Sequence, residues 1–188
     1  MADDARQTFE RLYCDNPDPW NFATSRYEQD KRAATLAALP EKIFDHVLEV
    51  GCGPGFLTCD LADRAVTLLA LDISTEAIRL AQRRTAKLDH VDCRQARLPE
   101  EWPDGHFDLI VLSEVLYFLS PAAITDTSVR CRDALREDGL VLLVNWTGES
   151  DLPVAGEDAE RLFIEANGWR TTRAEHYSNY RIALLEVP

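Results

Sequence analysis

Val47-Leu48-Glu49-Val50-Gly51-Cys52-Gly53-Pro54-Gly55-Phe56 joins four residues of strand character to three glycines spaced two apart. Such a segment bends sharply and leaves no side chain between its backbone and a ligand. An acid, Glu49, stands two places before the first glycine, and a second strand-like run, Val66 to Leu71, ends in Asp72. Asp72 lies 21 residues after Gly51, near the spacing at which a carboxylate meets ribose hydroxyls in a nucleotide-binding βαβ unit. The two features read as one half-site for an adenosine ligand.

Working outward, strands and helices alternate. The apolar pattern predicts strands over 46–50, 66–71, 90–94, 107–113 and 139–145, and helices over 55–64, 75–87, 121–136 and 155–167. Ser74 is placed as an N-cap, Pro121 suits a first helical turn, and Gly139 suits the stop of the helix before it. Leu109-Ile110-Val111-Leu112 and Leu140-Val141-Leu142-Leu143-Val144 are apolar on both faces, as central parallel strands covered by helices must be. The tail differs: 173–178 and 180–187 read as two strands joined near Ser178-Asn179, a turn that requires antiparallel pairing. Upstream, residues 3–13 form a short helix with Phe9, Leu12 and Tyr13 on one face, Pro17 and Pro19 break it, and a further helix runs from Ser25 or Arg26 to Leu39. The expectation is a single α/β domain over 1–188, a helical segment over 1–40 serving as a lid on a core over 43–188.

Composition excludes some partners. The net charge is −13, with 33 acids against 20 Lys and Arg. Nucleic-acid binding needs clustered cations, so it is not expected. The acidity fits either a solubility surface or a cleft attractive to an amine. The five cysteines are scattered with no C-x-x-C pair, and the four histidines are dispersed, so no metal site is expected. Reduced thiols, an acidic N-terminus without an apolar run, and no stretch near the ~20 apolar residues of a membrane span lead to an expected cytoplasmic protein. A monomer or a homodimer fits equally.

These residues together resemble a class I S-adenosylmethionine-dependent methyltransferase. Glu49-Val50-Gly51-Cys52-Gly53-Pro54-Gly55 matches that family's first motif, Asp72 its second-strand acid, and Phe107 to Val115 its fourth-strand motif. The resemblance implies a Rossmann-like three-layer sandwich, with a seven-stranded, mostly parallel sheet in the order 3-2-1-4-5-7-6 and the antiparallel C-terminal hairpin. Leu12-Tyr13, Asn16 to Phe22, Ser25 to Lys31, Leu98 to Pro103 and Ser113 to Tyr117 are similar to the nodulation protein S family, whose members N-methylate a deacetylated amino sugar. The likeness implies S-adenosyl-L-methionine as cofactor, S-adenosyl-L-homocysteine as product, and a small-molecule amine or sugar as acceptor. One departure is Asn145-Trp146, where that family often carries His-Trp.

The resemblance also implies roles. Gly51, Gly53 and Gly55 pass under the cofactor, with Cys52 and Phe56 alongside. Glu49 approaches the methionine ammonium, because a partly buried acid needs a cationic neighbour. Asp72 takes the ribose hydroxyls, or caps the next helix with Ser74; Ile73 lies against adenine. Gln95, Ala96, Arg97 and Leu98 flank adenine, with either the Gln95 amide oxygen or the backbone of Ala96 and Arg97 in place of the acid common in relatives. Trp20 and Tyr27 close over the cofactor or pack in the core, and Arg26 and Lys31 reach the methionine carboxylate or stay on the surface. Ser113, Glu114 and Val115 end the fourth strand, where open α/β sheets bind ligands. Glu114 holds a substrate ammonium, acts as base, or is merely solvated. Tyr117 sits one helical turn from it and contacts the substrate or simply packs, and His176 is either a proton acceptor or a structural residue.

Rival readings are weaker. A dinucleotide dehydrogenase needs G-x-G-x-x-G, and here the third glycine comes one residue early and an acid precedes the loop. O-methylation calls for a stronger base or a metal near the acceptor. A noncatalytic cofactor-binding module shares the fold without turnover.

Overall fold

The structure, a computed structural model, describes residues 2–149 and 151–187. The chain divides into two compact units, Met1–Arg97 and Leu98–Pro188. Its strands form one seven-stranded sheet in the order β3-β2-β1-β4-β5-β7-β6, the order implied by the resemblance.

The first unit holds α1 (Ala2–Asp15), α2 (Arg26–Ala37), β1 (Phe44–Val50), α3 (Phe56–Ala62), β2 (Ala65–Asp72), α4 (Thr75–Arg84) and β3 (Val91–Gln95). β1, β2 and β3 pair in parallel, with Glu49 beside Ala70 and Asp72 beside Gln95. Phe44, Leu48, Leu61, Leu68 and Leu71 are almost wholly removed from water. A buried leucine or phenylalanine stabilises by about 1.5–3 kcal/mol, so this core holds the strands whose ends carry Glu49 and Asp72. The Pro17–Trp20 segment is folded by Asp18, whose carboxylate accepts from the amides of Phe22 at 2.7 Å and Ala23 at 3.0 Å. Ser25 then caps α2, accepting from the Glu28 amide.

The second unit holds β4 (Phe107–Ser113), a 3-10 turn (Leu116–Phe118), α5 (Pro121–Ala134), β5 (Leu135–Trp146), α6 (Gly156–Asn167), β6 (Arg170–His176) and β7 (Tyr180–Glu186). β5 pairs in parallel with β4 and antiparallel with β7, and β7 pairs antiparallel with β6. Leu109 to Leu112 and Val141 to Val144 are fully buried, which explains their apolar character on both faces. β6 is mostly exposed and rich in charge, features that suit an edge strand.

Three expectations need correction. The helix ending at Ala134 runs straight into β5 at Leu135, so the strand starts four residues before 139. Gly139 is not the left-handed stop either; Asp138 takes that conformation, at φ 59°. A Cβ on Gly139 would meet Leu135 Cγ at 2.6 Å, so its glycine answers to close packing. The extra length is accommodated by a register shift between Phe107 and Leu109. The hairpin strand β6 also starts at Arg170 rather than 173. Among the described residues no helix is long and apolar enough to cross a membrane.

α6 begins hard against the end of β5: a Cβ on Gly156 would lie 1.8 Å from the Trp146 carbonyl oxygen. Backbone cannot yield as a flexible side chain does. Gly156→Ala is therefore expected to destabilise the protein by about 1–3 kcal/mol, the usual cost of overpacking, read as a lowered denaturation midpoint.

Candidate functional site

In the first unit the site begins where β1 ends. Gly51, Gly53 and Gly55 all adopt left-handed backbone conformations, at φ 79°, 51° and 82°. Gly55 has a second reason to lack a side chain: a Cβ there would lie 2.9 Å from Ala81 Cα on α4. The turn is moored to β2, because the amides of Gly51 and Cys52 both donate to the Leu71 carbonyl. Asp72 completes the mooring. One carboxylate oxygen accepts from the Gly53 amide at 2.9 Å, the other from the Ser74 amide at 2.9 Å. Ser74 is the N-cap of α4, as expected, and Asp72 supports it. A carboxylate has about four lone-pair sites, so these two bonds leave acceptor capacity on both oxygens. Burial pushes Asp72 up to about 6, against the pull of the Ser74 and Gly53 amides.

Glu49 is 1% exposed, and neither carboxylate oxygen has a hydrogen-bond partner among the described residues. Burial pushes its pKa up to about 8; Thr58 counters part of the rise without making a well-formed hydrogen bond, and the negative charges of Asp72 and Asp60 add to it. A buried acid in this condition is costly unless a cation or donor meets it. Gln95 donates from its amide to the Ile73 carbonyl at 3.2 Å, a bond that does not use its oxygen, and the Ala96 amide donates to Asp72's carbonyl. Cys52 is buried, in a cluster with Ala70, Ile78, Ala81 and Cys93.

α1 supplies residues that the motifs did not single out as binders. Tyr13 is 4% exposed, and its hydroxyl lies 2.9 Å from where a Gly53 Cβ would stand. Burial first, then the charge of Asp72, drives its pKa far upward, so it stays a neutral donor. Glu10 accepts from the Ser74 hydroxyl at 2.8 Å and from the Glu76 amide at 3.3 Å, adding negative charge at the start of α4. Trp20 is 41% exposed and belongs to an aromatic chain of Phe9, Tyr13, Trp20, Phe22 and Phe56, with successive ring centres 5.6–6.5 Å apart along Phe9–Trp20–Phe22–Phe56.

The cations of α2 take separate places, Arg26 on the surface and Lys31 in the interior. Arg26 points into solvent, its side chain 92% exposed beside Asp30. Lys31 is buried, 3.2 Å from Glu28 and above the ring of Tyr27. Arg32, one residue on, turns toward the glycine segment: it donates to the Phe22 carbonyl, pairs with Asp60 at 3.0 Å and lies over Phe56. Arg84 of α4 stacks on Phe56 at 3.4 Å and donates to the Pro54 carbonyl at 2.8 Å. The only sequence signal for Arg32 and Arg84 is helical phase relative to buried neighbours, and α2 has too weak an apolar stripe to set that phase.

In the second unit Ser113 ends β4, and the chain leaves it through Glu114 in a left-handed conformation, φ 61°. Such a conformation is strained for a residue with a side chain, and strain of this kind gathers at functional positions. The Glu114 amide donates to the Val144 carbonyl at 2.8 Å. Val115 leads into the 3-10 turn, which brings the buried Tyr117 hydroxyl to the Glu114 carboxylate as a donor. The expected turn of helix between those two residues is thus present. His176 is exposed at the end of β6, next to Tyr177, which stacks on Tyr180 at 4.3 Å. Arg97 and Leu98, the last of the expected adenine neighbours, fall at the boundary of the two units.

The family model described as nodulation protein S matches residues 2–145. Nodulation protein S of Sinorhizobium fredii is 32% identical over 113 residues, covering 60% of this chain and 52% of the relative. The chain spans about half the length of the curated relatives it matches. A candidate methyltransferase from Pseudomonas syringae is 35% identical with a TM-score of 0.76, over 86% of this chain and 99% of the other. The N-methyltransferase NodS of Bradyrhizobium japonicum, solved with S-adenosyl-L-homocysteine, superimposes with a TM-score of 0.86 at 22% identity, over 97% and 98% of the two chains, a likeness of fold.

Proposed function

The chain belongs to the nodulation protein S family, and on that premise we propose that it is an S-adenosylmethionine-dependent N-methyltransferase. The acceptor we infer is a small-molecule amine, such as an amino sugar or a related metabolite. The observation that carries the reading is Glu49: a buried acid with no well-formed hydrogen bond among the described residues, two residues before a glycine turn and suited to a cation. The ammonium of S-adenosylmethionine supplies that cation. Asp72 takes the ribose hydroxyls with its remaining lone pairs, and Gln95 offers its oxygen to the adenine amino group. Arg32 or Arg84, rather than Arg26, suits the methionine carboxylate, since both already lie at Phe56.

When bound, the cofactor supplies an electrophilic methyl group on a sulfonium. What the protein must add is orientation, exclusion of water and a place for one proton. Glu114 holds the acceptor nitrogen and takes the proton that it sheds on methylation. Tyr117 donates to that carboxylate and so fixes its direction. Tyr117→Phe is expected to leave cofactor binding unchanged and to lower turnover about tenfold, the scale of one hydrogen bond to a charged group.

The test is direct. Purified protein with S-adenosylmethionine is offered glucosamine, deacetylated chito-oligosaccharides and simple amines beside matched hydroxyl acceptors, and products are read by mass spectrometry. A gain of one methyl on nitrogen is expected. Cofactor binding without turnover on any acceptor would instead mark a binding module, and methyl on oxygen would assign the other reaction.

A further inference from the structure

Asn145, near the end of β5, is fully buried, and among the described residues neither its amide oxygen nor its amide nitrogen has a hydrogen-bond partner. Directly opposite it on β7 stands Arg181. Opposed residues of an antiparallel pair share a face of the sheet. Arg181 donates to Glu160 Oε1 at 3.0 Å and lies 3.7 Å from Glu157. Glu160, on α6, is 4% exposed, and its Oε2 has no hydrogen-bond partner among the described residues. The start of α6 is pressed on the same strand end, with Gly156 against the Trp146 carbonyl and near Asn145 Cβ. Arg181, paired with Glu160 and opposite Asn145, thus places a buried amide and a buried carboxylate oxygen, both short of partners among the described residues, in one part of the second unit.

Native proteins rarely leave such atoms unsatisfied. The inventory here is specific: two acceptors, Asn145 Oδ1 and Glu160 Oε2, and one donor group, Asn145 Nδ2. Either orientation of the amide presents the same set. The complement is a small neutral group with two N–H or O–H donors and one lone pair. An anion is repelled by Glu160. A metal cation is opposed by Arg181 and by the amide hydrogens.

We propose that Asn145 and Glu160 form a closed polar pocket that binds one molecule of this class, a water in the resting protein. A water meets all three atoms, within the two to four bonds that buried waters make. The pocket ties β5 to α6. Since α6 also packs against the turn Leu116–Phe118, it steadies the segment that carries Tyr117. Asn145 itself touches neither cofactor nor acceptor in the proposed function and acts only through this support of Tyr117.

A high-resolution crystal structure tests it. One peak of density within about 2.7–3.2 Å of both the Asn145 amide and Glu160 Oε2 is expected. A pocket without density, or a direct Asn145–Glu160 hydrogen bond, overturns the proposal. A second measurement turns on a sign. Asn145→Leu nearly keeps the volume and removes the amide. If a water is held, the variant strands it and Glu160, and the melting temperature falls. If the amide is unpaired, its removal relieves a penalty and the melting temperature rises, which also overturns the proposal. Crystals soaked in glucosamine are expected to keep the water, as a closed pocket requires; its replacement by the amine nitrogen overturns the closed pocket.

Discussion

Asp72→Ala is expected to weaken S-adenosylmethionine binding about 5- to 150-fold, the ~1–3 kcal/mol of lost buried hydrogen bonds, when measured by titration calorimetry. The variant should also lose stability without cofactor. Asp72 accepts from the Gly53 and Ser74 amides, so its removal leaves two partly buried donors unsatisfied and frees the turn from β2. That loss is about 2–6 kcal/mol, with each stranded donor costing on the order of 1–3 kcal/mol. Asp72→Asn separates the roles: the amide keeps one acceptor oxygen for the turn but offers fewer lone pairs to a ribose. Unchanged affinity in Asp72→Ala would remove this residue from the ligand site and leave it as a mooring post.

Glu49 governs the second large effect, which appears as pH dependence. Its folded pKa is near 8, against about 4.3 in an unfolded chain. Between these values the native protein binds a proton that the unfolded chain has released. Stability therefore falls as pH rises, by about 1.4 kcal/mol per pH unit at the steepest. Asp72, raised to about 6, adds the same sign over a lower window. The unliganded protein should melt at progressively lower temperature from about pH 5 to pH 8. Glu49→Gln should flatten the upper part of that curve. A cofactor ammonium reverses the preference by favouring the carboxylate form, so affinity for S-adenosylmethionine should climb from pH 6 toward about 7.5, by up to tenfold per unit, with proton release on binding. A pH-independent affinity in the native protein would show that no cation meets Glu49.

The alternation of strands and helices was legible because burial on two faces, or on one helical stripe, dictates which residues are apolar. Val141 to Val144 illustrate it: they lie in the middle of the sheet and carry no polar atom beyond the backbone. The turn after β1 was equally plain, since L-residues are disfavoured at the positive φ of Gly51, Gly53 and Gly55. The link between Glu114 and Tyr117 was also foreseen, from their spacing. The change from α5 to β5 comes four residues before the point the sequence suggests, because Gly139 looks like a stop and nothing local reveals that Asp138 takes the left-handed role.

Local chemistry in the chain therefore prescribed the strands, the glycine bend and the acids at its two ends, since each answers to its own neighbours in sequence. Which cation of α2 turns toward that bend was settled by packing. Arg26, Lys31 and Arg32 are near-equals along the chain, yet one lies in solvent, one is buried on Glu28 and one reaches Phe56. The same holds for Tyr13 above Gly53 and for Asn145 opposite Arg181. Long-range contact selects the rotation of a helix and the partner of a side chain, and those choices are made by surfaces far apart in sequence.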